Sequence, residues 1–442
     1  VVTVTHSSRF ADDGRYFFVA DVASGPGQGG AIILDSAGRL IWFSPDSTRQ
    51  SKMDFNRQIY QGKPVLTWWQ GYVTPAGYGQ GVAVIADSSY RTTHTIHAVG
   101  PNMVDLHEFY LTDRGTALVT VFRPSPADLS ALGGPASGWV LSGVAQEIDV
   151  ATGRLLFEWD SLDHIPVTDS YAKFAGGTRD RPFDYFHINS LAVAPDGDLL
   201  ISARNTWTVY KVARSTGAVV WRLNGKRSSF RMGPGTRFFW QHHARPHGTS
   251  LLSLFDDGAA PTEERRSRAI FLDLDTRAMR ATLRRSYVHP GQRLLATAMG
   301  SVQPLRNGHV FVGWGAEPYF SEFDRTGALV LDGQLPAGDE SYRAFTFDWT
   351  GHPAEPPAVA ARPGSAGRST VYASWNGSTE VEYWSVLAGK AASSLTPVGS
   401  ELRGGFETPI NVPSRGPYFA AEPCDARGRP LARSAPVRLT AT

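Results

Sequence analysis

Short apolar runs alternating with polar residues, each broken by a tight turn, fill most of this chain. One phrase recurs: an aspartate or other polar residue, a turn containing Gly, then an apolar strand that often carries Trp. It reads Leu34–Trp42, Ile148–Trp159, Lys211–Trp221 and Phe323–Val330, with degenerate copies at Ile85–Tyr90 and Leu272–Arg277. Asp, Ser or Thr followed by Gly dictates a hairpin turn at each. A second hairpin type precedes it, as in Phe109–Thr120, Leu191–Ser202 and Val302–Val312. Two hairpins per unit, recurring roughly every 50–65 residues, predict four-stranded propeller blades. The fold class expected is therefore all-β, a β-propeller. Six units are counted over about residues 10–335, and segments 1–9 and 342–349 either close the ring or supply a seventh blade. A solenoid or a pair of β-sandwiches is the rival architecture.

The pattern changes near Gly351. His352–Gly364 is rich in Pro and Ala and reads as a linker. Beyond it, Ser369–Trp375, Thr379–Val386, Arg403–Thr408 and Tyr418–Glu422 alternate apolar and polar at period two. That predicts a small fibronectin- or immunoglobulin-like sandwich, with Asn376-Gly377 as a turn. The expected division is residues 1–350 for the propeller, 351–364 for the linker and 365–442 for an accessory sandwich.

Composition narrows the function. The chain has 442 residues with 12 Trp, 45 Gly and 29 Pro, which suits many short strands rather than a helical bundle. A net charge of +2 with no basic block argues against nucleic acid. No stretch reaches the length of a membrane-spanning helix. Cys424 is the only cysteine, so neither an internal disulfide nor a cysteine-pair metal site is expected. The opening at Val1 reads as a trimmed export signal, hence a secreted protein, expected as a monomer.

Four polar clusters stand at strand starts: Asp105–Phe109 with His107, Phe186–Ser190 with His187 and Asn189, Ser202–Thr206 with Arg204, and Trp240–Arg245 with Gln241, His242, His243 and Arg245. In a propeller such positions face the central channel. Side chains alternate along a strand, so Gln241, His243 and Arg245 share a face and His242 opposes them unless a bulge intervenes. Imidazoles that titrate near neutrality and a permanent guanidinium can move protons or hold an anion. Arg204 would repel a cation, so no catalytic metal is expected, although a structural Ca2+ plugging the channel stays open. Trp69, Tyr185, Trp207, Gln303 and Trp314 border the cluster as candidates to stack on or bind a ring.

Several segments carry a resemblance: Pro64–Gly71, Asp105–Phe109, Gln146–Asp149, Leu156–His164, Asp184–Ser190, Leu200–Arg204, Trp240–His242, Ser253–Asp256 and Phe311–Gly315. Together they resemble the arylsulfotransferase-like family, in its fungal and actinomycete branch, over about residues 30–350. The resemblance implies a propeller with a central site of histidines, an asparagine and an arginine, and no cofactor. For the bacterial sulfotransferases it implies His242 as the sulfated nucleophile, with His107, His187, Asn189 and Arg204 around the sulfuryl oxygens. That branch is also similar to polysaccharide lyases that act on rhamnose-capped glucuronate. There Arg204, with Asn189 or His187, would neutralise a uronate carboxylate, His107 would take the C5 proton, and His107 or Tyr185 would protonate the leaving oxygen. A lyase acting on a uronate-containing plant polysaccharide is the leading expectation. A nucleotide-independent arylsulfotransferase is the alternative, and a non-catalytic carbohydrate-binding propeller the third reading.

Overall fold

The computed structural model describes residues 2–8, 10, 12–23 and 27–439. Val1, on which the expectation of a trimmed leader rests, lies outside the described residues. The chain is all-β and propeller-like. Six sheets follow one another along residues 3–347, each an antiparallel run of four strands. Their inner edges are Asp339–Phe347, Ser51–Tyr60, Phe109–Leu111, Ile188–Val193, His242–His247 and Ser301–Pro304. Each inner strand contacts the next in that order, and Ser301–Pro304 returns to Asp339–Phe347. Two sheets carry a fifth, outer strand: Thr3–His6 beside Leu329–Gln334, and Arg231–Met232 in parallel beside Arg280–Tyr287.

The recurrent Asp-turn-Gly phrase forms the outer hairpin of most sheets. Asp35 Oδ1 accepts from the amides of Ala37 and Arg39 at 3.0 and 2.9 Å, and Asp324 Oδ1 from Thr326 and Ala328 at 2.8 and 3.0 Å. Such a turn needs one residue at positive φ, which Gly38 (+77°) and Gly327 (+87°) provide.

The apolar core lies between neighbouring sheets. Phe18 and Phe345 meet Phe55 and Leu66; Trp69 and Val104 meet Phe109 and Val119; Leu118 and Leu141 meet Phe186 and Ile201. Val209 and Leu223 then meet Leu252 and Leu254, Phe255 and Phe271 meet Val302 and Val312, and Phe311 and Phe320 meet Phe17 and Leu34. The two segments left open by sequence both join these sheets. Thr3–His6 pairs with Leu329–Gln334, and Asp339–Phe347 pairs with Tyr16–Ala23.

Residues 358–438 form two further sheets. One contains Ala358–Pro363, Ser369–Ser374 and Glu407–Val412, the other Ser394–Leu402, Tyr383–Ala391, Tyr418–Cys424 and Val437–Arg438. Val371, Ile410 and Val412 of the first pack on Trp384, Val386 and Phe419 of the second. One boundary needs correction. Ala358–Pro363, read as linker, is a strand paired with Ser369–Ser374. It is an edge, so proline is tolerated at its end and its alternation is weak. Asn376 docks this part onto the ring: its side chain accepts from the Phe43 amide and donates to the Phe43 carbonyl, each at 2.9 Å. Among the described residues no helix is long and apolar enough to cross a membrane.

Candidate active site

Three of the predicted histidines converge, and each is backed by a carboxylate. His107 stands in the turn before Phe109–Leu111, with Nδ1 2.6 Å from Asp105 Oδ1. Asp105 also accepts from the amides of His107 and Gly79 and from the Thr120 hydroxyl, at 2.9, 2.6 and 3.0 Å. Burial alone would raise this carboxyl, but His107 and those amides hold it below the ordinary carboxylate range. Asp105 is therefore ionised and accepts from His107 Nδ1–H. His187 sits at φ +54°, with Nδ1 2.5 Å from Asp184 Oδ2. His242 Nδ1 lies 2.9 Å from Asp257 Oδ2.

The His107 and His187 rings are 4.8 Å apart, edge to face, and Phe122 is 5.5 Å from both. Tyr342 lies 5.6 Å from the His107 ring and 6.4 Å from that of His242, so the imidazoles crowd one space. Burial, with Arg204 and the other two imidazoles nearby, holds His242 well below its usual pKa, and burial also lowers His187. Both are neutral near pH 7. Burial pushes Asp257 up while Arg204 opposes it. The Met299 amide settles where the proton sits. It donates to His242 Nε2 at 3.3 Å, so that atom is a lone pair and Nδ1–H points at Asp257.

Arg204 completes the cluster. Its Nη1 donates to Asn205 Oδ1 at 3.1 Å, its Nη2 to the Thr297 carbonyl at 3.0 Å, and its plane stacks on Trp240 at 4.7 Å. No carboxylate pairs with it among the described residues, and its Nε–H has no protein partner there. A fixed cation with an unused donor beside a cluster of imidazoles is a site suited to an anion. Asn189 lies beneath, its amide donating to the Gln241 carbonyl at 2.6 Å and its buried Oδ1 without a partner among the described residues.

The bulge allowed for in the fourth cluster exists. Register slips between His242 and Arg245, and Trp240 and His243 take φ of +60° and +52°. It sends His242 toward the other imidazoles. His243, Arg245 and Gln303 instead line a cavity at the opposite mouth of the ring. Several other candidates belong to packing. Tyr185 is fully buried and donates to Ser161 Oγ at 2.8 Å, which removes it as a proton donor to substrate. Trp69 donates to the Val104 carbonyl and Trp314 to Ser321 Oγ, both inside cores. Gln241 is buried with its amide on Ser202 Oγ and the Ala203 carbonyl. Trp207, half-buried, stacks on Tyr171 at 3.6 Å and meets Trp240 edge-on at 5.1 Å, beside Arg204.

Sequence reading missed five residues: Asp184, Asp257, Tyr342, Arg343 and Asp54. Asp184 and Asp257 had a signal, since each follows or precedes a strand in a segment already singled out. Arg343 had none. It donates to Asp54 and Glu108 through Nη1 and to the His107 and Asn189 carbonyls through Nη2, joining four inner segments. Among the described residues no group of three or more His, Cys, Asp and Glu is placed to hold a metal.

A propeller-like all-β protein with a buried site of carboxylate-backed imidazoles and an unpaired guanidinium is thus the class defined here. The chain belongs to the arylsulfotransferase (ASST) family, whose model matches residues 56–335, more than half its length. No curated protein matches it. Solved structures similar to it include a Bacteroides caccae protein of unknown function, 13% identical, covering 76% of this chain and 99% of its own, at a TM-score of 0.46. A Lactobacillus plantarum protein is 13% identical over 90% of this chain and 99% of its own, at 0.38. An inactive variant of virginiamycin B lyase from Staphylococcus aureus, solved with quinupristin, is 7% identical over 89% and 99%, at 0.32.

Proposed function

We propose that the six sheets are the blades of a six-bladed propeller, that the two C-terminal sheets form a fibronectin-like sandwich, and that the ring is a nucleotide-independent arylsulfotransferase. The observation that carries the activity is the trio of Asp-backed imidazoles around Arg204. His242 Nε2 attacks the sulfur of an aryl sulfate, the S–O bond breaks, and the aryloxide departs with the electron pair. The aryloxide leaves past His107 and His187 and takes its proton from water. Arg204 stabilises the sulfuryl oxygens while charge moves. In the second half, the same imidazoles take the proton of an acceptor phenol. Its oxygen attacks sulfur, the N–S bond breaks, and Nε2 recovers its lone pair.

Purified protein given p-nitrophenyl sulfate should turn over p-nitrophenol continuously only when a phenol is added, and release no more than one equivalent per protein without it. Without acceptor, the intact mass should rise by one SO3, and His242→Gln should abolish both effects. Sustained release beyond one equivalent without an acceptor, or an adduct that survives in His242→Gln, overturns the reading.

One observation favours a second reading, the rhamnose-glucuronate lyase. The Met299 amide occupies His242 Nε2, whereas His107 Nε2 has no protein partner among the described residues. His107 would then be the base at C5 of a uronate held by Arg204. Tyr185 has no part in it, being sealed in the core. Release of rhamnose from gum arabic with an absorbing unsaturated uronate left on the polymer, both lost in His107→Ala, would select this chemistry.

A further inference from the structure

The ring has a second concave end. All six inner strands or the turns beside them line a cavity of about 720 Å³ on the face opposite the histidines. Its size lies within the range of small-molecule sites. Arg343 and Glu108 separate it from the histidine site, since Arg343 donates to the His107 carbonyl on one side and Glu108 accepts from Arg245 at 2.7 Å on the other.

Three features of its lining specify a ligand. The first is charge. Arg57 lines the cavity and has no ion-pair partner among the described residues, and its Nε is buried with no hydrogen-bond partner. Arg245 adds a second guanidinium, which Glu108 and the Leu191 and Ala244 carbonyls already engage through its two Nη atoms, and the other acidic lining residue, Asp113, stands exposed. The two lining imidazoles do not add charge, because burial lowers His243 well below its ordinary range and His247 to about 4. The second feature is apolar surface: Tyr110, Phe345 and Phe347 form walls, with Arg57 5.9 Å over the Phe347 ring. The third is an unused acceptor, since Asn56 Oδ1 is buried and has no partner among the described residues. Gln58 and Gln303 are already spent on protein groups, Gln58 on the Phe109 carbonyl and Leu111 amide and Gln303 on both backbone groups of Thr346.

We infer that this opposite mouth is a separate binding site for a small phenolic acid. Its carboxylate meets Arg57 and Arg245, its ring packs on Phe345 and Phe347, and its hydroxyl donates to Asn56 Oδ1. Each group of the ligand answers one unsatisfied feature of the lining, and buried polar atoms without partners are costly until something fills them.

The test is calorimetric titration of the whole protein, carrying His242→Gln, with 4-hydroxybenzoate; benzoate and benzyl alcohol serve as comparators. Saturation at or below about 1 mM is expected. Benzoate should bind more weakly, and benzyl alcohol should not bind measurably. Arg57→Gln should weaken 4-hydroxybenzoate at least about tenfold, and raised salt should weaken it in the parent. Asn56→Ala should bring its affinity to that of benzoate. No saturable binding, equal affinity for benzyl alcohol, or an unchanged affinity in Arg57→Gln overturns the proposal. So does binding that appears only when His242 is restored, which would place the ligand in the histidine site. Because the titration is done without His242, its outcome does not depend on the transferase reading.

Discussion

Replacing Arg343 by Met should be the most destabilising single change in the ring, and its cost follows from what the guanidinium holds. Arg343 is 1% exposed. Nη1 donates to Asp54 Oδ1 at 2.8 Å and Glu108 Oε1 at 2.9 Å; Nη2 donates to Glu108 Oε2 and to two carbonyls at 2.9–3.1 Å. Burial would lower its pKa, yet the two carboxylates raise it above the ordinary range. Met fills much of the volume but leaves Asp54 buried without a cation and Glu108 with Arg245 alone. Breaking a buried pair in this way costs about 3–5 kcal/mol. The two carbonyls add little, since the Tyr342 hydroxyl still reaches both. Neutralising the orphans should restore most of the loss. In the triple variant with Asp54→Asn and Glu108→Gln, the amides of Phe109 and Leu191 keep an oxygen acceptor, and Arg245 faces a cavity that water can enter. Urea unfolding followed by both tryptophan fluorescence and circular dichroism measures the three proteins where the probes coincide. A loss below about 1 kcal/mol for the single variant, or a triple variant no more stable than the single, would refute the reasoning.

Asp257→Asn should lower kcat by about 10³–10⁴-fold with little change in KM, since an amide no longer fixes Nδ1–H on His242; a loss under about tenfold would contradict the assigned tautomer. Burial lowers both His187 and His242 from 6.5, so the neutral imidazoles persist into mild acid and the acid limb of kcat/KM should fall below pH 6.5. A limb at or above that value argues against them. Asp21, pushed by burial and then by Asp339 to about 7, binds its proton more tightly when folded. It therefore costs nothing below about pH 4, increasingly more as pH rises to 7, and a constant amount above. The advantage of Asp21→Asn in urea midpoint should grow over that window and then level; a pH-independent difference would sink it.

The repeat was legible because each outer hairpin writes its turn chemistry locally, as Asp35–Gly38 and Asp324–Gly327 do. His107, His187, Arg204 and His242 were legible because polar groups at strand starts have few structural excuses. Bordering aromatics misled, since Trp69, Trp314 and Tyr185 satisfy their polar atoms inside cores, and adjacency in sequence says nothing about which face a ring enters. His243 was misplaced relative to His242 by a bulge that depends on two positive-φ residues, neither of them Gly. Arg343 was invisible for a different reason. Its partners are far away in sequence, at Asp54 and Glu108, and no local spacing announces an interaction closed by the whole ring.

The sheet that joins Tyr16–Ala23 to Asp339–Phe347 draws its strands from opposite ends of the stretch that builds the ring. During synthesis, the early strands must wait with a bare edge until a partner more than about 300 residues further along has left the ribosome. Thr3–His6, which needs Leu329–Gln334, waits almost as long. These two seams are the last to be sewn and the natural place for a nascent molecule to pair with a neighbour instead of itself. A circular permutant cut at the Asp196-Gly197 turn would move that vulnerable interval to a different pair of strands.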